Sequence, residues 1–308
     1  MNPLRSLILA AAGSDAIRKA VASAPGTKNV VSRFVAGETS ADAVAAVAAL
    51  AARGLHATLD YLGEHTGEPA QVERTVREYL TLLDRLHAEG LSKSAEVSVK
   101  LSALGQQVDE KLAEDNAWRI CAAADQCATT VTVDMEDHSS TDLTLRVVGD
   151  LRRTWPWVGA VVQSYLRRTE ADLAELAAPG SRVRLVKGAY AEPPHVAYPA
   201  AHDVDLAFVR CANALLAGGG YPMFATHDPR LIELVANRAR VYGKRPGSYE
   251  FQLLYGIRPA EQIRLAEAGQ TVRVYVPYGE QWYGYLMRRL AERPANTAFF
   301  LRALASRS

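Results

Sequence analysis

The segment Tyr285-Leu286-Met287-Arg288-Arg289-Leu290-Ala291-Glu292 places two guanidiniums side by side on a stretch whose apolar positions fit a helix. At helical spacing Tyr285, Arg288, Arg289 and Glu292 share one arc, because residues three, four and seven apart are neighbours. Two adjacent planar forks of donors suit a carboxylate. An isolated Arg-Arg pair is usually a solvated helix face, but this one ends a longer series. Polar residues close otherwise apolar runs at Glu64, Lys100, Asp134 with Glu136, Gln163, Arg184 with Lys187 and Tyr190, Thr226-His227-Asp228, Gln252 with Leu254, and Tyr275. Strands this apolar would not carry so many polar ends unless those ends were satisfied in a ligand cavity.

The elements that must position these residues are short β-branched or alternating runs. Eight candidates stand out: His56–Leu62, Glu96–Leu101, Thr130–Met135, Gly159–Ser164, Arg182–Val186, Met223–Thr226, Tyr249–Leu254 and Thr271–Val276. Helical periodicity separates them over Pro69–Glu89, Asn116–Cys127, Glu170–Ala177, Val204–Leu216, Pro229–Val241 and Pro259–Glu267. Eight strands alternating with helices predict an α/β fold, a TIM-like (β/α)8 barrel, in which the C-terminal strand ends converge on one mouth. An open dinucleotide-binding sheet would need a Gly-rich first turn, and no GxGxxG occurs. Residues 1–54, with the Ala-rich stretch Ala41–Arg53, are expected to form an N-terminal helical arm capping a barrel domain of residues 55–308.

Composition narrows the function classes. The 308 residues include 49% hydrophobic and 22% charged side chains, enough for a sizeable core. Basic and acidic residues nearly cancel, 35 against 34, so no net field recruits nucleic acid. Cys121, Cys127 and Cys211 lack CxxC spacing, which argues against a disulfide framework or a zinc site and suits a reducing cytoplasm. The apolar run Leu7–Ala12 is far shorter than the roughly 20 residues that span a bilayer.

Together, Val97–Leu104, Val183–Tyr190, Phe224–His227, Tyr249–Gly256 and Tyr285–Glu292 resemble the proline dehydrogenase family in content, order and spacing. The resemblance runs from about Leu55 to Leu301 and touches every strand. It implies a distorted (β/α)8 barrel that binds FAD non-covalently. The implied reaction oxidises L-proline to Δ1-pyrroline-5-carboxylate by hydride transfer from C5 to flavin N5, with a membrane quinone reoxidising the flavin. The substrate amine must be neutral at transfer, so positioning and protonation state are the main levers.

By resemblance, Lys100, Arg288 and Arg289 hold the substrate carboxylate, and Tyr190, Leu254, Tyr275 and Tyr285 wall in the ring. Cations around the carboxylate also lower the pKa of the nearby ammonium. Asp134 and Glu292 are the expected acidic partners of the arginine pair, and Glu64 closes an ion-pair gate with Arg288. Arg184 reaches the flavin N5 region, with Gln163, Lys187, Gly188, Ala189, Thr226, His227 and Gln252 around the rest of the cofactor. No side chain stands out as a dedicated base. The implied location is the cytoplasm, with peripheral contact at the inner face of the cell membrane.

Two departures separate the chain from the family pattern. Ala200-Ala201-His202 stands where many relatives carry a Thr-Lys pair for the adenosine end of FAD, and the loop between Tyr275 and Tyr285 is shorter than in some bifunctional relatives. Nothing after Ser308 supplies an aldehyde dehydrogenase module, so the product is expected to be released or handed to a separate pyrroline-5-carboxylate dehydrogenase. Two other readings remain open on the residues alone. Lys100 or Lys187 at a strand end suits a Schiff-base aldolase or lyase, and the same barrel could be a binding scaffold without catalysis.

Overall fold

The computed structural model describes residues 27–63 and 67–292. The run Leu7–Ala12 and Glu64 lie outside that set. Eight parallel strands close into a barrel in chain order. They are β1 (His56–Tyr61), β2 (Ala95–Val99), β3 (Val131–Val133), β4 (Gly159–Gln163), β5 (Arg182–Val186), β6 (Tyr221–Ala225), β7 (Glu250–Leu254) and β8 (Val272–Tyr278). Closure is the pairing of β1 with β8, which aligns Thr58 with Tyr275. Every expected strand is present, with ends shifted by a residue or two.

Side-chain alternation explains why these runs become barrel strands. One set, including Ala57, Leu59, Val97, Val99, Val183, Leu185, Phe251 and Leu253, packs in the main apolar core. The alternate set is polar and equally buried: Thr58, Asp60, Glu96, Ser98, Arg184, Glu250, Gln252 and Arg273. Both faces are therefore out of water, and the interior face is the one that carries charge.

The helices are α1 (Thr27–Phe34), α2 (Ser40–Ala51), α3 (Pro69–Ala88), α4 (Glu110–Gln126), α5 (Thr141–Arg152), α6 (Thr169–Leu176), α7 (Ala201–Ala217), α8 (Pro229–Val241), α9 (Pro259–Glu267) and α10 (Trp282–Glu292). The spacing predicts α8 and α9 to the residue, because each opens on Pro at its first turn. It misses α5, whose polar start, Val147-Val148 pair and Gly149 weaken the periodic signal. It also starts α4 late, since Asp109 caps that helix by accepting from the Lys111 N–H at 3.0 Å.

The Ala-rich segment does not sit where it is expected. The Ala-rich α2 packs on the side wall against β1, β8 and α3, rather than over an end of the barrel. Its Ala43, Val47 and Leu50 join the main core, so α2 takes the outer position between β8 and β1. The helix that follows β8 is then free to do something else. α10 meets α1, and Phe34, Val35, Leu62, Tyr283, Tyr285, Leu286 and Met287 form a separate apolar cluster there. No helix among the described residues is long and apolar enough to cross a membrane.

The α1 segment is keyed to the loop after β7. Gly256 has φ +72°, and a Cβ there would stand 1.7 Å from the Arg33 carbonyl oxygen. Gly243 has φ +68° with nothing within 4 Å of such a Cβ. Gly243→Ala should therefore cost only about 1 to 2 kcal/mol for the left-handed backbone. Gly256→Ala should cost about 3 kcal/mol or more because a backbone must also move. Urea denaturation checks this, and equal losses would show that the α1 contact is not tight.

Candidate active site

The C-terminal strand ends surround a cavity of about 940 Å³. Lys100, Asp134, Gln163, Arg184, Gln252, Leu254 and Tyr275 reach it from the strands or just beyond them, and Lys187, Gly188, Ala189, Tyr190, Thr226 and His227 reach it from the loops after β5 and β6. Tyr285, Arg288 and Arg289 line it from α10. Residues separated by up to 229 positions, Asp60 to Arg289, thus share one cavity. Glu292 ends α10, but its side chain is outside the described set.

Below the cavity the barrel interior holds a continuous column of ion pairs. At its top Lys100 Nζ lies 2.6 Å from Asp60 Oδ1 and 3.6 Å from Asp134 Oδ2. Asp134 accepts from Tyr275 Oη at 2.7 Å and from Ser98 Oγ at 2.8 Å, and pairs with Arg184 Nη1. Arg184 Nη2 stands 3.6 Å from Glu96 Oε1. Glu96 then pairs with Arg182 at 2.7 Å and Arg273 at 3.7 Å, and Arg273 with Glu250 at 2.7 Å. Asp60, Asp134, Glu96 and Glu250 balance Lys100, Arg184, Arg182 and Arg273, four charges against four.

This column corrects one expectation. Asp134 is expected beside Arg288 and Arg289, but among the described residues its ion pairs run to Arg184 and Lys100. The reason is strand geometry. Ser98, Asp134 and Arg184 all project into the interior from β2, β5 and the end of β3, whereas the arginine pair sits on a helix across the mouth. Burial, then the Asp134 and Asp60 charges, push the Tyr275 phenol well up, so it is a neutral donor to Asp134.

The same floor contains buried polar atoms without partners among the described residues. Arg184 Nε and Gln252 Oε1 are buried and make no hydrogen bond, although the rest of each side chain does. A buried donor and acceptor left unmade are costly unless a ligand completes them. His227 Nε2 accepts from the Leu254 N–H at 2.9 Å, and its carbonyl accepts from Arg258 Nη1 at 2.7 Å. Gln163 Nε2 donates to the Glu136 carbonyl at 2.8 Å. Gly188, at φ +114°, lets the chain pass against the Tyr165 ring, where a Cβ would be 2.3 Å away.

A profile of the family described as proline dehydrogenase matches residues 43–302. The chain belongs to the proline dehydrogenase family. It is 42% identical to the proline dehydrogenase of Deinococcus radiodurans over 283 residues, covering 90% of both chains. It is 38% identical to proline dehydrogenase 1 of Bacillus subtilis, covering 92% of this chain and 93% of that one. Among solved structures it is similar to proline utilization A from Bdellovibrio bacteriovorus inactivated by N-propargylglycine, with TM-score 0.80 and 26% identity. That match covers 86% of this chain and 32% of the larger protein.

As a proline dehydrogenase the chain is an oxidoreductase acting on proline, and the family implies a flavin-type cofactor. The family match displaces the aldolase reading, whose two lysines are both held in ion pairs. Lys100 sits between two carboxylates, and Lys187 Nζ lies 2.5 Å from Asp205 Oδ1. Asp60 and Arg258 line the cavity without being legible as site residues. Asp60 lies one step inside the strand end at Leu62–Glu64, yet alternation with Thr58 puts it on the interior face. Arg258 looks like an ordinary helix start, and its left-handed backbone, φ 51°, is visible only in the structure.

Burial raises the Glu96 and Glu250 carboxyls, but the facing arginines outweigh it and hold both below the ordinary range. The unfolded chain therefore takes up these protons first as pH falls. Their contribution is present above about 4.3, the unfolded glutamate value, and is lost at lower pH. Glu96→Gln should lose about 3 to 5 kcal/mol at pH 7, because three arginines lose a buried partner. In denaturant melts the gap to wild type should narrow below pH of about 4.3; a gap that stays constant to acid pH would contradict the column.

Proposed function

We propose that this chain oxidises L-proline to Δ1-pyrroline-5-carboxylate with non-covalently bound FAD, passing electrons to a membrane quinone. The observation that carries the reading is the two-sided cavity. An arginine pair faces it from α10, while Arg184 Nε and Gln252 Oε1 stand buried and unpartnered below. A cavity of about 940 Å³ is also far larger than a five-membered ring needs, which leaves room for a flavin beside it. A bound flavin would supply the two-electron acceptor for the hydride lost from substrate C5.

The chain's own residues do the rest. Lys100, Arg288 and Arg289 hold the substrate carboxylate, and because Asp60 and Asp134 offset Lys100 and Arg184 the arginine pair is read as the main countercharge. Their charge favours the neutral amine that hydride loss requires, its proton leaving to solvent before closure. Tyr190, Leu254, Tyr275 and Tyr285 surround the ring and keep water from it. Arg184 and Gln252 would each gain a hydrogen bond to the flavin, with Gln163, Lys187, Gly188, Ala189, Thr226 and His227 around it. Ala200 and Ala201 are exposed and carry no polar side-chain atom, so no contact with the adenosine tail is assigned to them.

In this reading the product is released or handed on to a pyrroline-5-carboxylate dehydrogenase activity. The enzyme works in the cytoplasm and touches the inner membrane face only to deliver electrons. Arg289 is half-buried, with its guanidinium 5.1 Å above the Tyr285 ring centroid, whereas Arg288 is exposed. A desolvated fork is worth more than a wet one. Arg289→Met should therefore raise KM for L-proline by at least about tenfold, and Arg288→Met by less, with FAD still bound in both. Steady-state kinetics with a dye acceptor and the flavin absorbance of each purified variant check this. Unchanged proline saturation would remove the arginine pair from the substrate site.

A further inference from the structure

Tyr190 reaches the cavity from a long connection, since β5 ends at Val186 and α7 begins at Ala201. A connection of that length needs anchors to hold one wall of a binding cavity. Tyr165, in the turn after β4 and 7% exposed, supplies several of them. Its N–H donates to the Lys187 carbonyl at 2.9 Å, and its carbonyl accepts from the Tyr198 N–H at 2.8 Å. Its ring is the surface on which Gly188 rests. Its hydroxyl donates to Glu192 Oε1 at 3.3 Å, two residues along the chain from Tyr190.

Glu192 extends the anchor to a third loop. Its carboxylate, 3% exposed, accepts from the His138 backbone N–H at 3.0 Å and pairs with His138 Nδ1. His138 follows β3, so one buried carboxylate joins the loops after β3, β4 and β5. Among the described residues neither Tyr165 nor Glu192 lines the cavity. Their bonds reach the backbone on which Tyr190 is carried.

We infer that Tyr165 and Glu192 form a latch outside the cavity that holds the Tyr190 segment over the substrate ring. They are positioning residues for substrate affinity. The inference rests on the reading of Tyr190 as a wall of the proline pocket. Removing the Tyr165 hydroxyl leaves the ring beneath Gly188, so Tyr165→Phe keeps the fold while loosening the segment.

The test is a double-mutant cycle on the FAD-loaded full chain: Tyr165→Phe, Tyr190→Ala and both together. It measures KM and kcat for L-proline and Ki for L-lactate, a carboxylate without a ring. Tyr165→Phe should raise KM about five- to tenfold, the effect of one lost hydrogen bond to a buried group, and leave kcat within about twofold. Ki for L-lactate should stay within about twofold, because arginines on α10 hold the carboxylate. In the Tyr190→Ala background the same substitution should change KM little. Glu192→Ala should reproduce the rise, and Glu192→Gln, which keeps an acceptor oxygen, should restore most of the affinity.

An unchanged KM in Tyr165→Phe alongside a raised KM in Tyr190→Ala would overturn the latch and leave the pocket reading standing. A rise of equal size in both backgrounds would also overturn it, since Tyr165 would then act elsewhere. An unchanged KM in Tyr190→Ala would remove the pocket wall and the latch together.

Discussion

Among the described residues the ion-pair column in the barrel interior joins four carboxylates and four cations, and no one of them could stay there alone. Moving a single ion out of water costs several kcal/mol even after relaxation, so each must be met by an opposite charge and by hydrogen bonds. That requirement fixes the column from Glu250 through Arg273, Glu96, Arg184 and Asp134 to Lys100 and Asp60. It also fixes what the cavity can offer. Arg184 spends its terminal nitrogens on Ser98, Asp134 and Glu96 and keeps only Nε unpaired. Tyr275 is committed as a donor to Asp134. With the floor electrically balanced, an anionic substrate must find its main countercharge elsewhere.

The placement of the terminal helices answers that need. α2 fills the outer position between β8 and β1, so the helix after β8 is not required on the wall. α10 instead presents Tyr285, Arg288 and Arg289 to the cavity and is held by its own apolar cluster with Phe34 and Val35. The site thus combines a rigid, charge-locked floor with a separately packed roof. Between them lie loops stitched together by Tyr165 and Glu192, outside the cavity they shape.

The strands were legible because their alternation is strict and their ends are polar. Arg182–Val186 agrees residue for residue, and the arginine pair on α10 followed from helical spacing alone. What the sequence hides is pairing. Glu96 and Arg182 lie 86 positions apart, and nothing in either neighbourhood names the other. Asp134 shows the same difficulty from the opposite side. It was visible as a site carboxylate, but which arginine it meets depends on barrel closure, and closure brings it to Arg184. Asp60 was hidden by taking the last residue of a strand as its functional end, when the interior face is set by parity.

The central claim is that a balanced floor and a cationic roof hold L-proline against a flavin. Anaerobic mixing of the purified, FAD-loaded chain with L-proline, followed by absorbance, tests it directly. The account predicts bleaching of the flavin band by L-proline and none by D-proline or L-lactate. A band untouched by L-proline, or bleached equally by the mirror-image acid, would contradict it.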